Sequence, residues 1–217
     1  MVQRDNMNNE VILLSDIHGS FQTARYVAKQ APNSLVVQIG DFGIGFGDDP
    51  ATGSLPSNLR FFQGNHDDHS QCGKYSQYLG RYGMISHPTE RIMFIAGAET
   101  PEFDLHRRTP GKDWWADERL SDEEFDAALK FAIEFQPTIM LSHDGPNSVV
   151  QEMFAGQLIR GDGYGYDSSP TRHALQRILD VTSPKAWYFG HWHRYQVLER
   201  NGTTFTCLAA LQAKKIL

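Results

Sequence analysis

Seven side chains able to hold a metal ion fall into five short clusters along this chain: Asp16 with His18, then Asp41, Asn65 and His143, and finally His191 with His193. An eighth candidate, His66, stands next to Asn65. Asp16 and His18 are two residues apart, which puts both side chains on one side of an extended strand end, and His191 and His193 share that spacing. Any one cluster reads equally well as a strand-end hydrogen-bonding group. Together they carry five of the nine histidines, and gathering that many acids and imidazoles in a low dielectric is costly unless they share a cation. One or two metal ions would remove that cost. Gly19, Gly40, Gly43, Gly64, Gly145 and Gly190 flank the clusters, where a small residue lets the backbone pass close to a crowded site.

The elements that must position these residues are strands. Val11 to Ser15 (VILLS) is a short apolar run with the look of a strand buried on both faces. Ser20 to Ala31 follows with a serine at the N-cap position and helical spacing of Phe21, Ala24, Val27, Ala28 and Ala31. Leu35 to Ile39 and Asn58 to Gln63 read as two more strands, and strand, helix, strand is the unit of a parallel sheet. Tyr82 to Ser86 and Arg91 to Gly97 form an expected hairpin. A long irregular piece, 98–120, leads to a helix at Ser121, where Glu124 sits at capping-box spacing. Thr138 to Ser142 is a strand, Ser169 to Asp180 a helix and Ala186 to Phe189 a strand. A last hairpin turns at Asn201-Gly202, a favoured type I′ pair. Each metal-binding cluster comes directly after one of the apolar strands, and the carboxyl ends of parallel strands open on one edge. Five loops therefore converge.

Length and composition bound the rest. At 217 residues the chain fits one α/β domain, residues 1–217, with a short polar tail at 1–10. No apolar run approaches the roughly 18 residues of a membrane span. The first ten residues lack the apolar core of a secretory signal. A net charge of -6 with no Lys/Arg cluster argues against binding of duplex nucleic acid. Two cysteines, Cys72 and Cys207, lie far apart and outside any CxxC, which fits a reducing cytosol and a cytoplasmic protein.

With the clusters in this order, the sequence resembles the calcineurin-like metallophosphoesterase superfamily, whose motifs run D-x-H, G-D, G-N-H-[DE], H and G-H-x-H. Here they stand as Asp16-Ile17-His18, Gly40-Asp41, Gly64-Asn65-His66-Asp67, His143 and Gly190-His191-Trp192-His193. The resemblance implies an α/β (α+β) fold, an αββα sandwich of two mixed β-sheets flanked by helices. It implies two divalent metal ions, one held by Asp16, His18, Asp41 and His193 and the other by Asp41, Asn65, His143 and His191. Asp41 would bridge them. A mixed N/O donor set without thiolate suits Mn, Fe, Zn, Ni or Mg, and the resemblance favours manganese. The implied activity is phosphoester hydrolysis by in-line attack of a metal-bridging hydroxide on phosphorus. His66 would protonate the leaving group, with Asp67 a second catalytic residue and Asp67, Asp68, Asp48 and Asp49 as candidate partners of the His66 ring.

One departure is informative. Ser/Thr protein phosphatases of the calcineurin type carry G-D-x-x-D-R-G, whereas this chain has Ile44 and Gly45 at the second Asp and the Arg. That weakens the phosphoprotein phosphatase alternative and favours a small or nucleotide-like phosphoester. A non-catalytic metal-bound scaffold is the alternative of another class. Substrate contacts are expected from Asn65, from Arg107 and Arg108 near Trp114 and Trp115, and from Arg160 and Tyr164 in the loop 156–169. The two tryptophans read first as a cap on the core beside the Ser121 helix.

Overall fold

The computed structural model describes residues 9–46, 54–101, 105–158 and 169–217. Arg160, Tyr164, Asp48, Asp49 and the polar tail up to residue 8 lie outside the described residues.

Three parallel strands, β1 (Val11–Leu14), β2 (Leu35–Ile39) and β3 (Leu59–Phe62), make the first sheet. Leu13 pairs with Val37 and Val37 with Arg60. A short β10 (Ala213–Lys215), unforeseen in the sequence, runs antiparallel to β1 and completes the order β10-β1-β2-β3. The second sheet has the order β4-β5-β6-β7-β9-β8. Its members are β4 (Tyr82–Ile85), β5 (Ile92–Ile95), β6 (Ile139–Ser142), β7 (Ala186–Phe189), β8 (Gln196–Arg200) and β9 (Thr203–Cys207). β5, β6, β7 and β9 are parallel, and β4 and β8 close the edges antiparallel. At the β8–β9 turn Asn201 and Gly202 both have positive φ, 51° and 82°, as a type I′ pair requires.

Why the sheets face each other is legible in β1. Val11 and Leu13 enter the large core shared with the second sheet, while Ile12 and Leu14 belong to a smaller core under α1 (Phe21–Gln30). Alternation on a strand buried on both sides produces that division. Phe62 of β3 stacks on Phe94 of β5 across the layer, with centroids 5.4 Å apart and planes 15° apart. Helices cover the outer faces. α1 buries Phe21, Ala24 and Ala28. Ser20 stands at its N-cap, yet its hydroxyl pairs with Thr23 Oγ1 at 2.9 Å and caps no backbone amide. After the one-turn α2 (His69–Cys72) come α3 (Asp122–Phe135), α4 (Asn147–Leu158) and α5 (Pro170–Leu179). Ser121 and Glu124 form the expected capping box of α3, and Ser169 caps α5 by accepting from Arg172 N. The architecture is the αββα sandwich of two mixed sheets.

Candidate metal centre

All five ligand clusters sit at the carboxyl ends of strands: Asp16 after β1, Asp41 after β2, Asn65 after β3, His143 after β6 and His191 after β7. Their donor atoms gather in two sets. Asp16, His18, Asp41 and His193 offer atoms all within 4.8 Å of one another, as do Asp41, His143 and His191. Asn65 joins the second set, its Oδ1 3.2 Å from His143 Nε2. Asp41 belongs to both, with Oδ1 3.1 Å from His143 Nε2 and Oδ2 3.8 Å from His18 Nε2.

The backbone is bent to make this possible. Asp16, His18, Asp41, His191 and His193 have φ between 44° and 67°, a region that costs a non-glycine residue about 1 kcal/mol or more and clusters at functional sites. Hydrogen bonds hold the bent loops together. His18 N donates to Asp41 O at 3.0 Å, Gly19 N to Phe42 O at 2.9 Å and Gly190 N to His143 O at 2.9 Å. Two glycines are required by proximity. A Cβ on Gly64 would lie 2.6 Å from His143 Nε2 and would also overlap the Asp41 carboxylate. On Gly190 it would overlap Asp16 and the Ser15 hydroxyl, which itself donates to Asp16.

Electrostatics and tautomers suit a pair of cations. His143 Nδ1 donates to the Ile39 carbonyl at 3.1 Å, which turns Nε2 toward Asp41 and Asn65. Burial lowers the ring, but the Asp41 charge outweighs it and raises His143 to about 10, so without metal Nε2 also carries a proton, whose place a cation would take. Burial pushes the Asp41 carboxyl up, but the imidazoles of His143, His66 and His18 outweigh it and hold the group well below the ordinary carboxylate range. Burial, with His143 next, pushes His191 down to about 3, the neutral form that binds metal. His18 and His193 present their Nε2 atoms to each other at 2.9 Å, an arrangement that needs either a shared proton or a shared cation. In the protein alone the proton falls on His193, raised by its hydrogen bond to Asp16, while burial lowers His18. The residues present therefore fit two divalent cations: hard and borderline donors, correct tautomers and two convergent sets with one shared carboxylate.

Behind the donors lies a layer that the sequence reading missed. Asn65 Nδ2 donates to Thr100 Oγ1 at 3.4 Å, and Thr100 gives both its amide (2.7 Å) and its hydroxyl (2.5 Å) to buried Glu118. Burial pushes the Glu118 carboxyl up to about 7. Asp144, next to His143, accepts from Trp192 Nε1 at 2.8 Å. Trp192 lies past the end of β7, between two residues of positive φ and not on an alternating strand, and stacks on Phe154 at 4.6 Å, 7° from parallel, where α4 is kinked. The buried Arg172 guanidinium stands 5.9 Å from the same indole ring. One side chain thus ties the His143 loop to the loop bearing His191 and His193.

One expectation needs correction. Asp67 was expected to act with His66, but it is fully buried and its oxygens accept four backbone amides: Phe42 at 3.0 Å, Gly43 at 2.7 Å, Ile44 at 2.9 Å and Gly64 at 2.8 Å. Burial and the Asp41 charge push its carboxyl up to about 6 against those donors. It is a clasp between two ligand loops and has no oxygen left for an imidazole. Asp68 caps α2 through Ser70 N. Among the described residues, His66 Nδ1 is buried without a hydrogen-bond partner. The two arginines expected to meet substrate differ in placement. Arg107 is exposed, whereas the Arg108 guanidinium lies 5.4 Å from the Phe46 ring centroid. Burial lowers the His66 pKa, Asp41 opposes it, and the charges of His18 and Arg108 add to the lowering. Trp115 is buried, as expected of a cap on the core.

The fold and these two ligand sets define a metal-dependent hydrolase site. A family model of the calcineurin-like phosphoesterases matches residues 10–195, and the chain belongs to that family. No curated protein sequence matches the chain significantly. Among solved structures, the phosphopantetheinyl hydrolase of Mycobacterium tuberculosis is similar over 96% of this chain and 95% of its own, with TM-score 0.56 and 12% identity. A Staphylococcus aureus protein assigned as a 5′-nucleotidase, solved with α-ketoglutarate, is similar over 95% of this chain and 50% of its own, with TM-score 0.55 and 11% identity. At such identities the likeness is one of fold. No helix among the described residues is long and apolar enough to cross a membrane.

Proposed function

We propose that the chain is a single catalytic domain that hydrolyses a small or nucleotide-like phosphoester with two divalent cations, manganese first among the candidates. The observation that carries this reading is the pair of convergent ligand sets sharing Asp41. Asp16, His18, Asp41 and His193 would hold one cation, and Asp41, Asn65, His143 and His191 the other. When bound, the cations would acidify water and neutralise charge on the phosphoryl oxygens. His66, whose backbone amide donates to Asp41 Oδ1 at 2.9 Å, gives its proton to the leaving oxygen. The bond from phosphorus to that oxygen breaks as a water oxygen takes the opposite position in line. Asn65 and Arg108 contact the phosphoester. A nucleotide-like substrate is in keeping with the 5′-nucleotidase neighbour, and two buried free thiols suit a cytoplasmic setting.

A phosphoprotein substrate is disfavoured by the residues at the place of the phosphatase Asp and Arg. Ile44 is buried in the smaller core. Gly45 has φ 78°, and a Cβ there would lie 2.6 Å from Asp68 Cβ, so an arginine is not accommodated.

The test is hydrolysis of p-nitrophenyl phosphate and bis-p-nitrophenyl phosphate by metal-stripped protein with Mn, Ni, Zn or Mg restored. Chelation should abolish turnover of the preferred ester and metal should restore it. His66→Ala should keep bound metal and slow esters with poor leaving groups by about 10²- to 10⁴-fold, and good ones far less. If neither ester turns over with any of the metals, the hydrolase reading fails.

A further inference from the structure

Arg172 is a buried cation outside both ligand sets. It is 3% exposed, and among the described residues its Nε and Nη1 have no hydrogen-bond partner. A guanidinium taken out of water without those bonds is costly, so it stays buried only where other contacts hold it and compensate its charge. Two are at hand. Its Cζ stands 5.9 Å from the Trp192 ring, within reach of the cation–π attraction. Its charge also acts on Asp144: burial pushes that carboxyl up, and Arg172 is first among the groups that oppose it.

The first turn of α5 fixes where Arg172 starts. Arg172 N donates to the Ser169 hydroxyl at 3.1 Å, and Thr171 gives Glu99 its amide at 2.9 Å and its hydroxyl at 2.8 Å. Glu99 directly precedes Thr100, the support of Asn65. At the other end Asp144 is 3% exposed, and its Oδ1 accepts from Gly145 N at 2.7 Å and from Trp192 Nε1 at 2.8 Å. Trp192 stands between His191 and His193, one candidate ligand from each set. Both histidines lie past the end of β7 with positive φ, so no strand ladder fixes them. The indole between them is one of their anchors.

We infer that Arg172 is a positioning residue of the metal centre: through Trp192 and Asp144 it holds the loop of His191 and His193, and so sets the metal affinity of both ligand sets while belonging to neither. This rests on the two-cation part of the reading above and not on which ester is hydrolysed.

The test is a calorimetric titration of metal-stripped protein with Mn, with melting in chelator run on the same samples. Arg172→Met, which keeps an unbranched side chain without the charge, should weaken Mn binding in both sets by about 10-fold, the scale of losing an outer partner. Arg172→Lys keeps the charge but not the guanidinium and should fall between the Met variant and the wild type. Trp192→Phe keeps an aromatic ring against Phe154, loses the bond to Asp144 and should weaken binding by a similar factor. If Arg172 acts through Trp192, the double variant should lose little more than either single one, whereas independent losses would multiply to about 100-fold. A merely structural Arg172 would lower the melting temperature and leave Mn binding by the folded protein unchanged. That result, or multiplied losses in the double variant, overturns the inference. Where the Met variant does not fold, Arg172→Lys decides: weaker Mn binding in both sets upholds the inference, and wild-type affinity overturns it. A wild type that binds no Mn falls on the two-cation reading and takes this inference with it, whereas normal Mn binding without hydrolysis of any ester counts against the hydrolase reading alone.

Discussion

The two ligand sets share Asp41 and differ in almost everything around it. One is built in. His143 is 0% exposed and Asn65 1%, His143 is oriented by the Ile39 carbonyl, and Asn65 is backed by Thr100 and Glu118. The other is open. The side chains of His18 and His193 are 29% and 48% exposed, and only Asp16 is sealed, by the Ser15 hydroxyl and His191 N. The buried half fixes geometry, since His143 and Asn65 cannot move without breaking core contacts, although its third donor, His191, is only half-buried. The open half meets solvent through the rings of His18 and His193.

Asp41 is the residue on which that division depends, and replacing it has the largest expected effect. Asp41→Asn removes the one charge that both halves use, and kcat should fall by about 10³-fold or more, the scale of losing a preorganised electrostatic group. Metal content, measured on the purified protein, should fall in both halves. Full metal content with activity retained would mean that the halves are not one centre.

The next comparison sets one half against the other. His143→Ala leaves the Asp41 carboxylate, Asn65 Oδ1 and the Ile39 carbonyl without their partner in a buried space, which should cost about 2 to 3 kcal/mol of stability even under chelation. His193→Ala removes an exposed ring and should change stability by less than about 0.5 kcal/mol, although it too weakens metal binding. Thermal melting in chelator separates the variants. Equal destabilisation would erase the distinction between a built-in half and an open one.

What the sequence revealed follows the same line. The candidate ligands were legible because metal donors are few in kind and each follows an apolar strand, so chemistry and periodicity pointed to the same positions. The roles of neighbours were not. Asp67 stands next to His66 in sequence, which suggested a shared task, yet the loop turns its carboxylate inward to clasp the amides of Phe42, Gly43, Ile44 and Gly64. Thr100 and Glu118 lie 35 and 53 positions beyond Asn65 and carry no pattern of their own; only the fold brings them to it. Arg107 and Arg108 are indistinguishable by type, and a local turn decides which one reaches Phe46. β10 is a three-residue strand of Ala213, Lys214 and Lys215, too short and too polar to announce itself.

The smallest effect expected is one of pH, and it probes the support of the buried half. Burial, opposed by the hydrogen bonds from Thr100, pushes Glu118 from the ordinary 4.5 up to about 7. The folded protein therefore holds this proton more tightly than the unfolded chain does. Stability contributed by the group is full below about 4.5 and is lost as pH rises through about 7. Glu118→Gln removes the titration while keeping an amide of the same shape beside Thr100. Under chelation the stability of the wild type should fall from about pH 5 to pH 8 more than that of the variant, by on the order of 1 kcal/mol, which melting reads as a steeper fall in Tm. If Glu118 acts through Thr100 on Asn65, the variant should also weaken metal binding in the buried half by about 10-fold, as loss of an outer partner does. Parallel melting curves with unchanged metal affinity would detach Glu118 from the centre and leave Asn65 held by its own loop alone.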